Sequence, residues 1–538
     1  MIRAYTGARI RDTESPFLAA GRGDELMQRA AHGLATACAR LLGERGRVYG
    51  SRVVLLVGAG NNGGDALFAG AVLAGRGAAV TAVCTADRHH EPGAAALRRA
   101  GGRLVPLTEA SAAQLVGAAS SADLVVDGIL GTGAKGGLRG LAADFARGLS
   151  AAGTNLLVAC DLPSGLDAST GRVDGPVLHA DVTVTFSAAK SGLLAGAGAR
   201  AAGSVEVVPI GIEDSLPAPD LRRLEGSDLA ALWPSPGAAD HKYSRGVLGV
   251  VAGSAQYPGA ALLCTAAAVA AGAGMVRYLG PREVARLINL RTPEAVCSEG
   301  EVADTRVQAW LAGPGATADR DQLRRARDVL ASGLPAVLDA GALEAVPDRV
   351  APHVVLTPHA GELAVFLTNR GDETSREEVE AEPLEFARRA AAACSATVLL
   401  KGATTIVAAP SGTTFSQAEG TPWLATAGSG DTLAGILGAL VAHPAPDAVF
   451  ERLGIAMEDK WAAIAAMAAS IHGRAAALAG APLHAGELPD HLRAVRESLD
   501  PALSRCGPSV PQTSGGPHRA SLAGRPPRRR WHDGFHDL

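Results

Sequence analysis

The sequence predicts two α/β domains in series, each a parallel sheet wound with helices, and three observations lead there. Apolar runs of strand length recur along the chain, with helix-like stretches between most of them, which is the pattern of successive βαβ units. Those runs are continuously apolar rather than alternating, as strands buried on both faces are. At 538 residues the chain exceeds one ordinary core. Its composition breaks at 213–240, where Pro217, Pro219, Pro234 and Pro236 stand among acids, Ser and Gly. That span is expected to be a linker between domains at 1–212 and 241–495.

Composition narrows the function classes. With 66 glycines and 4% aromatic residues, packing must run through Ala, Val and Leu, with many tight loops. A net charge of −4 gives no electrostatic reason for nucleic acid as a partner. Seven scattered cysteines show no CxxC pair and no zinc spacing, so they read as reduced thiols of a cytoplasmic protein. The N-terminus lacks a basic-then-apolar signal pattern, and polar residues break the longer apolar runs. No membrane span is expected, and a homo-oligomer is.

Residues 1–50 read as helical, with an amphipathic run from Leu26 through Leu42. The strand-like run Val53–Val57 ends in Gly58-Ala-Gly-Asn-Asn-Gly-Gly-Asp65, and a helical pattern follows from Ala66 to Gly75. Further strands are expected at Val80–Val83, Leu124–Val126, Leu156–Ala159 and Val182–Phe186. The loop after the first strand contains G-x-G-x-x-G, so a nicotinamide dehydrogenase must be weighed. Asp87 comes later than the ribose contact expected about 20 residues on. Asn61, Asn62 and Asp65 also put polar side chains where a pyrophosphate wants bare backbone. Two more loops, Asp127–Gly137 and Asp161–Asp167, fall at strand C-terminal ends, where open α/β sheets bind ligands. One such carboxylate is commonly a turn or cap residue; three polar loops at one crevice call for a ligand.

Gly60-Asn-Asn-Gly-Gly-Asp65, Asp127-Gly-Ile-Leu-Gly-Thr-Gly133 and Asp161-Leu-Pro-Ser-Gly-Leu-Asp167 resemble, in order, the signatures of NAD(P)H-hydrate epimerase. The resemblance covers roughly residues 1–212 and implies a Rossmann-like three-layer α/β/α domain. It implies hydrate contacts at Asn61, Asn62, Gly63, Gly64, Asp65, Gly131, Thr132, Gly133, Ala134, Lys135, Gly136, Gly137 and Asp161. It further implies a potassium ion held by Asn62, Asp127 and Ser164, and a carboxylate such as Asp161 can act as the catalytic group by shuttling the proton. Carboxylate, amide and hydroxyl oxygens suit a hard cation.

A second series begins at His241-Lys242, with strands expected at Val247–Val251, Ala309–Ala312, Ala336–Leu338, Val354–Leu356 and Thr397–Leu400. An alanine-rich helix is expected to reach about Ala271. The strands end at Ala252-Gly-Ser254, Gly313-Pro-Gly315, Asp339, Thr357-Pro-His359-Ala-Gly-Glu362 and Lys401-Gly402. Near the end stands Gly428-Ser-Gly-Asp431, followed at once by an apolar helical run. Gly428 and Gly430 let successive N–H groups face one space, which with the helix dipole seats an anion. Asp431 there is either an N-cap or a base aimed at whatever attacks a bound phosphate. No Walker A pattern is present, which excludes a P-loop enzyme.

The order of these motifs resembles the ribokinase-like fold, and more closely ADP-dependent NAD(P)H-hydrate dehydratase, over roughly residues 230–480. That resemblance implies nucleotide contacts at Lys401, Gly402, Ala403, Thr404, Thr405 and Gly430. It implies hydrate contacts at Ala260, Gly315, His359 and Asp431, with Asp431 catalytic, ADP as co-substrate and Mg2+ on the nucleotide. An epimerase joined to such a dehydratase is a known bifunctional arrangement. The rivals are a ribokinase-like kinase for a small alcohol or vitamin, and a non-catalytic N-terminal nucleotide sensor. Residues 496–538 turn to Pro, Ser, Gly and Arg and are expected to be a disordered tail.

Overall fold

The computed structural model of the chain describes residues 1–134, 136–316 and 320–499. Its strands are, in chain order, β1 (Ile2–Tyr5), β2 (Arg52–Val57), β3 (Ala79–Cys84), β4 (Arg103–Pro106), β5 (Leu124–Gly128), β6 (Leu157–Cys160), β7 (Val182–Phe186), β8 (Ala189–Lys190), β9 (Ser204–Val208) and β10 (Leu221–Arg223). The second half adds β11 (Val247–Val251), β12 (Met275–Leu279), β13 (Val296–Ser298), β14 (Ala309–Ala312), β15 (Ala336–Leu338), β16 (Val354–Leu356), β17 (Thr397–Leu400), β18 (Thr405–Ala408) and β19 (Thr414–Gln417).

Among the described residues these strands form two sheets. The first runs β4–β3–β2–β5–β6–β7–β9 and is parallel throughout. Its chain order reverses between β2 and β5, so the loops after these two strands flank the crevice where such sheets take ligands. Val53, Leu55 and Val57 face one apolar layer, and Val54 and Leu56 face the other. That two-sided burial is why β2 reads as an unbroken apolar run.

The second sheet runs β13–β12–β11–β14–β15–β16–β17–β18–β19–β10–β1–β8. It is parallel from β13 to β17 and switches to antiparallel pairing at β17–β18–β19. Here the chain order reverses between β11 and β14, and the Gly253 N–H donates across that point to the Pro314 carbonyl (2.7 Å).

Three expectations are corrected. Residues 1–50 are not wholly helical: β1 precedes the helices Gly7–Ala19 and Gly23–Glu44. Residues 213–240 are not a plain linker. They contribute β10 and the helix Gly226–Leu232 to the second half, and β10 pairs with β1 and β19. Finally, the two halves are not separately closed. β1 and β8 extend the second sheet, and one core cluster holds Leu162, Leu166, Leu193 and Leu194 together with Leu338, Phe386 and Ile406. The physical reason is shared: β1, β8 and β10 are short, and the strands they pair with lie far away in sequence.

The tail expectation for 496–538 falls outside the described residues except for 496–499, which close the helix Leu488–Leu499. The six described cysteines are all free. Met457–Ala479 is long and apolar enough to cross a membrane by length and composition, yet 78% of its most apolar window is buried inside the fold.

Candidate active sites

The helix after β2 starts at Asn61, a turn earlier than its apolar pattern announces, with Gly60 as its N-cap. Asn61, Asn62 and Asp65 therefore sit on the first turns of a helix at the crevice. They line a cavity of about 660 Å³ with Gly131, Thr132, Gly133, Ala134 and Asp161. The other expected residues do not line it. A Cβ on Gly63 would lie 2.3 Å from the Gly58 carbonyl, and one on Gly137 would lie 1.5 Å from the Asp174 carbonyl. Gly64 packs on His90, and Gly136 has φ +77°. Gly63 and Gly137 permit close backbone approach, Gly64 makes room for the His90 ring and Gly136 supplies a left-handed turn, all structural uses of the residue. Lys135 lies outside the described residues.

Asp161 is the centre of this cavity's chemistry. It adopts φ +67°, a left-handed conformation that costs a non-glycine residue about 1–3 kcal/mol. Its Oδ2 accepts from the Thr132 N–H (3.0 Å) and hydroxyl (2.6 Å). Its Oδ1 lies 2.6 Å from Lys190 Nζ and accepts from the Thr185 hydroxyl at 3.3 Å. Burial pushes the Asp161 carboxyl up, but the Lys190 charge and these hydrogen bonds outweigh it and hold it below the ordinary value. Asp65 shows the opposite. Burial, then repulsion from Asp161 and Glu14, drives it well above the ordinary carboxylate range. Burial likewise raises Glu14. One cavity thus holds a carboxylate kept ionised and two carboxyls pushed toward neutrality, the separation that acid–base work needs.

Lys190, Glu14 and Thr185 escaped the sequence reading. For Lys190 a signal existed. The chain has five lysines among 50 basic residues, and this one interrupts an otherwise uncharged stretch, Ser187-Ala-Ala-Lys-Ser-Gly-Leu-Leu194.

Beneath the cavity, Asp127 is fully buried. It accepts from the Ser164 hydroxyl (2.6 Å), the Ser164 N–H (2.8 Å) and the Ile129 N–H (3.3 Å). Burial still leaves its carboxyl above the ordinary value. Asn62 donates to the Leu130 carbonyl at 3.0 Å, while its own Oδ1 is buried without a partner. An orphaned amide oxygen and a buried carboxylate, linked through Ser164 and the Leu130 carbonyl, fit a hard cation held by oxygens alone.

In the second half, Gly428 (φ +88°) is the N-cap of the helix Ser429–Ala442, which buries every residue from Thr432 to Ala442. That helix packs on Pro258–Ala270 closely enough that a Cβ on Gly435 would lie 2.3 Å from the Cys264 carbonyl. The Cys264 thiol donates to the Asp431 carbonyl at 3.2 Å. Ala260 lies in the first turn of Pro258–Ala270, and a Cβ on Gly315 would come within 2.6 Å of the Ala260 Cβ. Burial and then the Asp339 charge push the Asp431 carboxyl up to about 6, with Lys401 opposing.

Lys401 Nζ lies 2.7 Å from Asp339 Oδ1 and 3.8 Å from Glu362 Oε2. A Cβ on Gly430 would be 3.6 Å from that ammonium. Burial pulls the Lys401 ammonium down, but Asp339, Glu362 and Asp431 more than offset it, so its pKa is raised. His359 caps the next helix: its Nδ1 accepts from the Glu362 N–H (3.1 Å), and Glu362 Oε2 accepts from the His359 N–H (2.8 Å). The His359–Lys401 bridge sets the two strand ends side by side.

The expected second-site residues form two groups. His359, Lys401, Gly402, Ala403 and Thr404 line a separate cavity of about 660 Å³, whereas Gly430 and Asp431 do not. Thr405 opens β18. Lys401 is common to both groups. Asp339, named only as a strand end in the sequence, proves to be the acid that holds it.

Comparisons with known proteins match two separate stretches of the chain. Residues 23–192 match the family described as YjeF-related protein N-terminus, and residues 248–496 match the family described as NAD(P)H-hydrate dehydratase. The bifunctional NAD(P)H-hydrate repair enzyme Nnr of Mycobacterium leprae is 42% identical over 495 residues, covering 90% of this chain and 96% of its own. The NAD(P)H-hydrate epimerase of Clavibacter michiganensis is 45% identical over 225 residues, covering 40% of this chain and 94% of its own. Among solved structures, the ADP/ATP-dependent NAD(P)H-hydrate dehydratase of Bacillus subtilis, co-crystallised with ATP and Mg2+, is 28% identical with a TM-score of 0.45. It covers 52% of this chain and 98% of its own.

Proposed function

The chain belongs to the family of bifunctional NAD(P)H-hydrate repair enzymes, and we propose that it divides the work between Asp161 and Asp431. The observation that carries this reading is the pair of opposed carboxyl environments: Asp161 held low by Lys190, and Asp431 pushed up to about 6 at a glycine turn.

In the first site the substrate is the hydrate of NADH or NADPH, with hydroxyl and ring nitrogen on C6. Asp65, raised by burial, gives a proton to the C6 oxygen, which leaves as water while the nitrogen lone pair stabilises the cation. Water returns on the other face and gives its proton to Asp161, which releases it to the solvent from which Asp65 is reprotonated, so that C6 is inverted and both acids are restored. Potassium would be held by Asn62, Asp127 and Ser164, where its charge offsets a buried carboxylate.

In the second site Asp431 takes the proton of the C6 hydroxyl of the S epimer. The oxygen attacks the β-phosphorus of ADP, and the bond to AMP breaks with its electron pair leaving on AMP. The ring nitrogen then expels the C6 oxygen as inorganic phosphate, and loss of a C5 proton restores the C5=C6 bond. Phosphorylation serves because phosphate leaves far more readily than hydroxide. Lys401 and the N–H groups from Gly428 onward stabilise the transferring phosphoryl group. Three carboxylates around one ammonium leave a negative surplus, which fits Mg2+ carried on the nucleotide's phosphates with at most one or two protein carboxylates. ADP is the expected phosphate source, by family resemblance.

The test is chromatography of both epimers over time. Asp431→Asn should equilibrate R and S yet release almost no phosphate from ADP. Asp161→Asn should consume the S epimer and stall on R. A stable phosphorylated product instead of free phosphate would make the second half a small-molecule kinase. Equal or better turnover with ATP would overturn the ADP preference.

A further inference from the structure

The cavity at the Lys401–Thr404 turn has a second wall, and that wall comes from the first half. Arg172, Val173, Gly196, Ala197 and Arg200 line it opposite His359, Lys401 and Thr404. The walls are fixed relative to each other by packing. Leu193, Leu194 and Ala195 lie in the core shared with the second half, and a Cβ on Gly196 would sit 3.7 Å from the Pro383 ring.

The lining is strongly basic, and one member of it is uncompensated. Arg376 is paired with Glu380 (2.7 Å), Lys401 with Asp339 (2.7 Å), and Arg172 only loosely with Glu382 (3.8 Å). The Arg200 guanidinium makes no ion pair or hydrogen bond among the described residues. On the facing wall, Thr404 is 6% exposed and its Oγ1 is buried without a partner. A free guanidinium and a half-free one on one cavity wall, with an orphaned buried hydroxyl in the turn that lines it, are a set of donors without acceptors. Pyrophosphate oxygens supply acceptors of that kind, and guanidinium groups bind them with two parallel N–H bonds.

We propose that the epimerase half completes a pyrophosphate site of the dehydratase half: Arg200, aided by Arg172, binds the pyrophosphate of a nucleotide seated at the Lys401–Thr404 turn. This rests on the assignment of that turn to nucleotide binding. ADP and the hydrated dinucleotide both carry a pyrophosphate, and the test separates them. The role is binding and orientation, with no proton or bond moved by either arginine. It gives the fusion of the two halves a chemical purpose, since half of the phosphate clamp sits on each.

The experiment uses the full chain with Arg200→Ala, the double variant Arg172→Ala/Arg200→Ala, and Arg200→Lys. Both arginines are exposed, so folding is not at stake. The Michaelis constant for ADP is measured at saturating S hydrate, and that for the hydrate at saturating ADP, with epimer exchange followed in parallel. Arg200→Ala should raise one of the two Michaelis constants about tenfold, with kcat within about twofold and epimer exchange unchanged. Arg200→Lys should recover part of the loss, because ammonium keeps the charge and loses the fork. Whichever constant moves identifies the nucleotide. Unchanged Michaelis constants in the double variant, or a parallel loss of epimer exchange, would overturn the proposal. Lys401→Met is the control. If it raises a Michaelis constant and the arginine variants do not, only the inter-half clamp falls. If it too leaves both unchanged, the assignment of the turn to nucleotide falls as well.

Discussion

Lys190 Nζ and Asp161 Oδ1 lie 2.6 Å apart, and the bond between them joins the two sheets: Asp161 follows β6 of the first, and Lys190 closes β8 at the edge of the second. The ammonium also donates to the Thr185 hydroxyl and the Phe186 carbonyl, both at 3.0 Å. A buried pair that loses one member leaves a desolvated charge, at about 3–5 kcal/mol. Lys190→Met should therefore lower the melting temperature and cut epimer exchange by about 10²–10⁴-fold. Dehydration of the S epimer should persist in the protein that remains folded. Calorimetry with chiral chromatography checks this, and unaltered exchange would remove Lys190 from the mechanism.

The same pair sets a pH dependence. Asp161 is held below its unfolded value of about 3.9, so its stabilising contribution is complete above that pH. It is lost as pH falls through the lower folded value. Asp161→Asn should flatten the acid limb of a melting-temperature profile below about pH 4.

Asp431 behaves in the opposite sense. Its folded pKa of about 6 lies above the unfolded one, so the ionised carboxylate strains the fold, and stability declines as pH rises from about 4 through 6. Asp431→Asn should therefore melt higher than the parent at pH 8, with the gap closing below about pH 4, while dehydration is lost. In the parent, dehydration should rise with pH through about 6 as the base ionises. A flat profile from pH 5 to 8 would exclude Asp431 as that base.

Gly435 should tolerate no side chain. A Cβ there meets the Cys264 carbonyl at 2.3 Å, backbone that can yield only by separating two core helices. Gly435→Ala should cost about 1–3 kcal/mol. It should also lower phosphate release, since the displaced helix carries Asp431. Denaturant unfolding and a phosphate assay measure the two effects.

The potassium reading makes a prediction independent of catalysis. Replacing tetramethylammonium by potassium at constant ionic strength should raise the melting temperature, because a ligand bound only to the folded state stabilises it. Asn62→Leu, which removes the orphaned Oδ1, should abolish that response.

The sequence by itself determined both sheets' central strands and the loops at their ends. β7, β11, β14, β15, β16 and β17 have the bounds their apolar runs mark. Continuous apolar runs and glycine turns are local signals, and local signals survive in a one-dimensional reading. Asp65, Asp127, Asp161 and Asp431 were legible for the same reason, each sitting in a short motif beside the glycines that shape its loop. Tertiary structure alone decided what those acids face. Lys190 meets Asp161, Asp339 meets Lys401, and β1 and β10 find each other across more than two hundred residues. Whether a carboxyl is pushed up or held down depends on desolvation and on charges a few ångströms away in space. Those quantities are created when distant segments pack and have no counterpart in residue order. The arginines facing the Lys401–Thr404 turn belong to that class too: exposed cations in a chain rich in arginine, they acquire a purpose only where folding sets the two halves against each other.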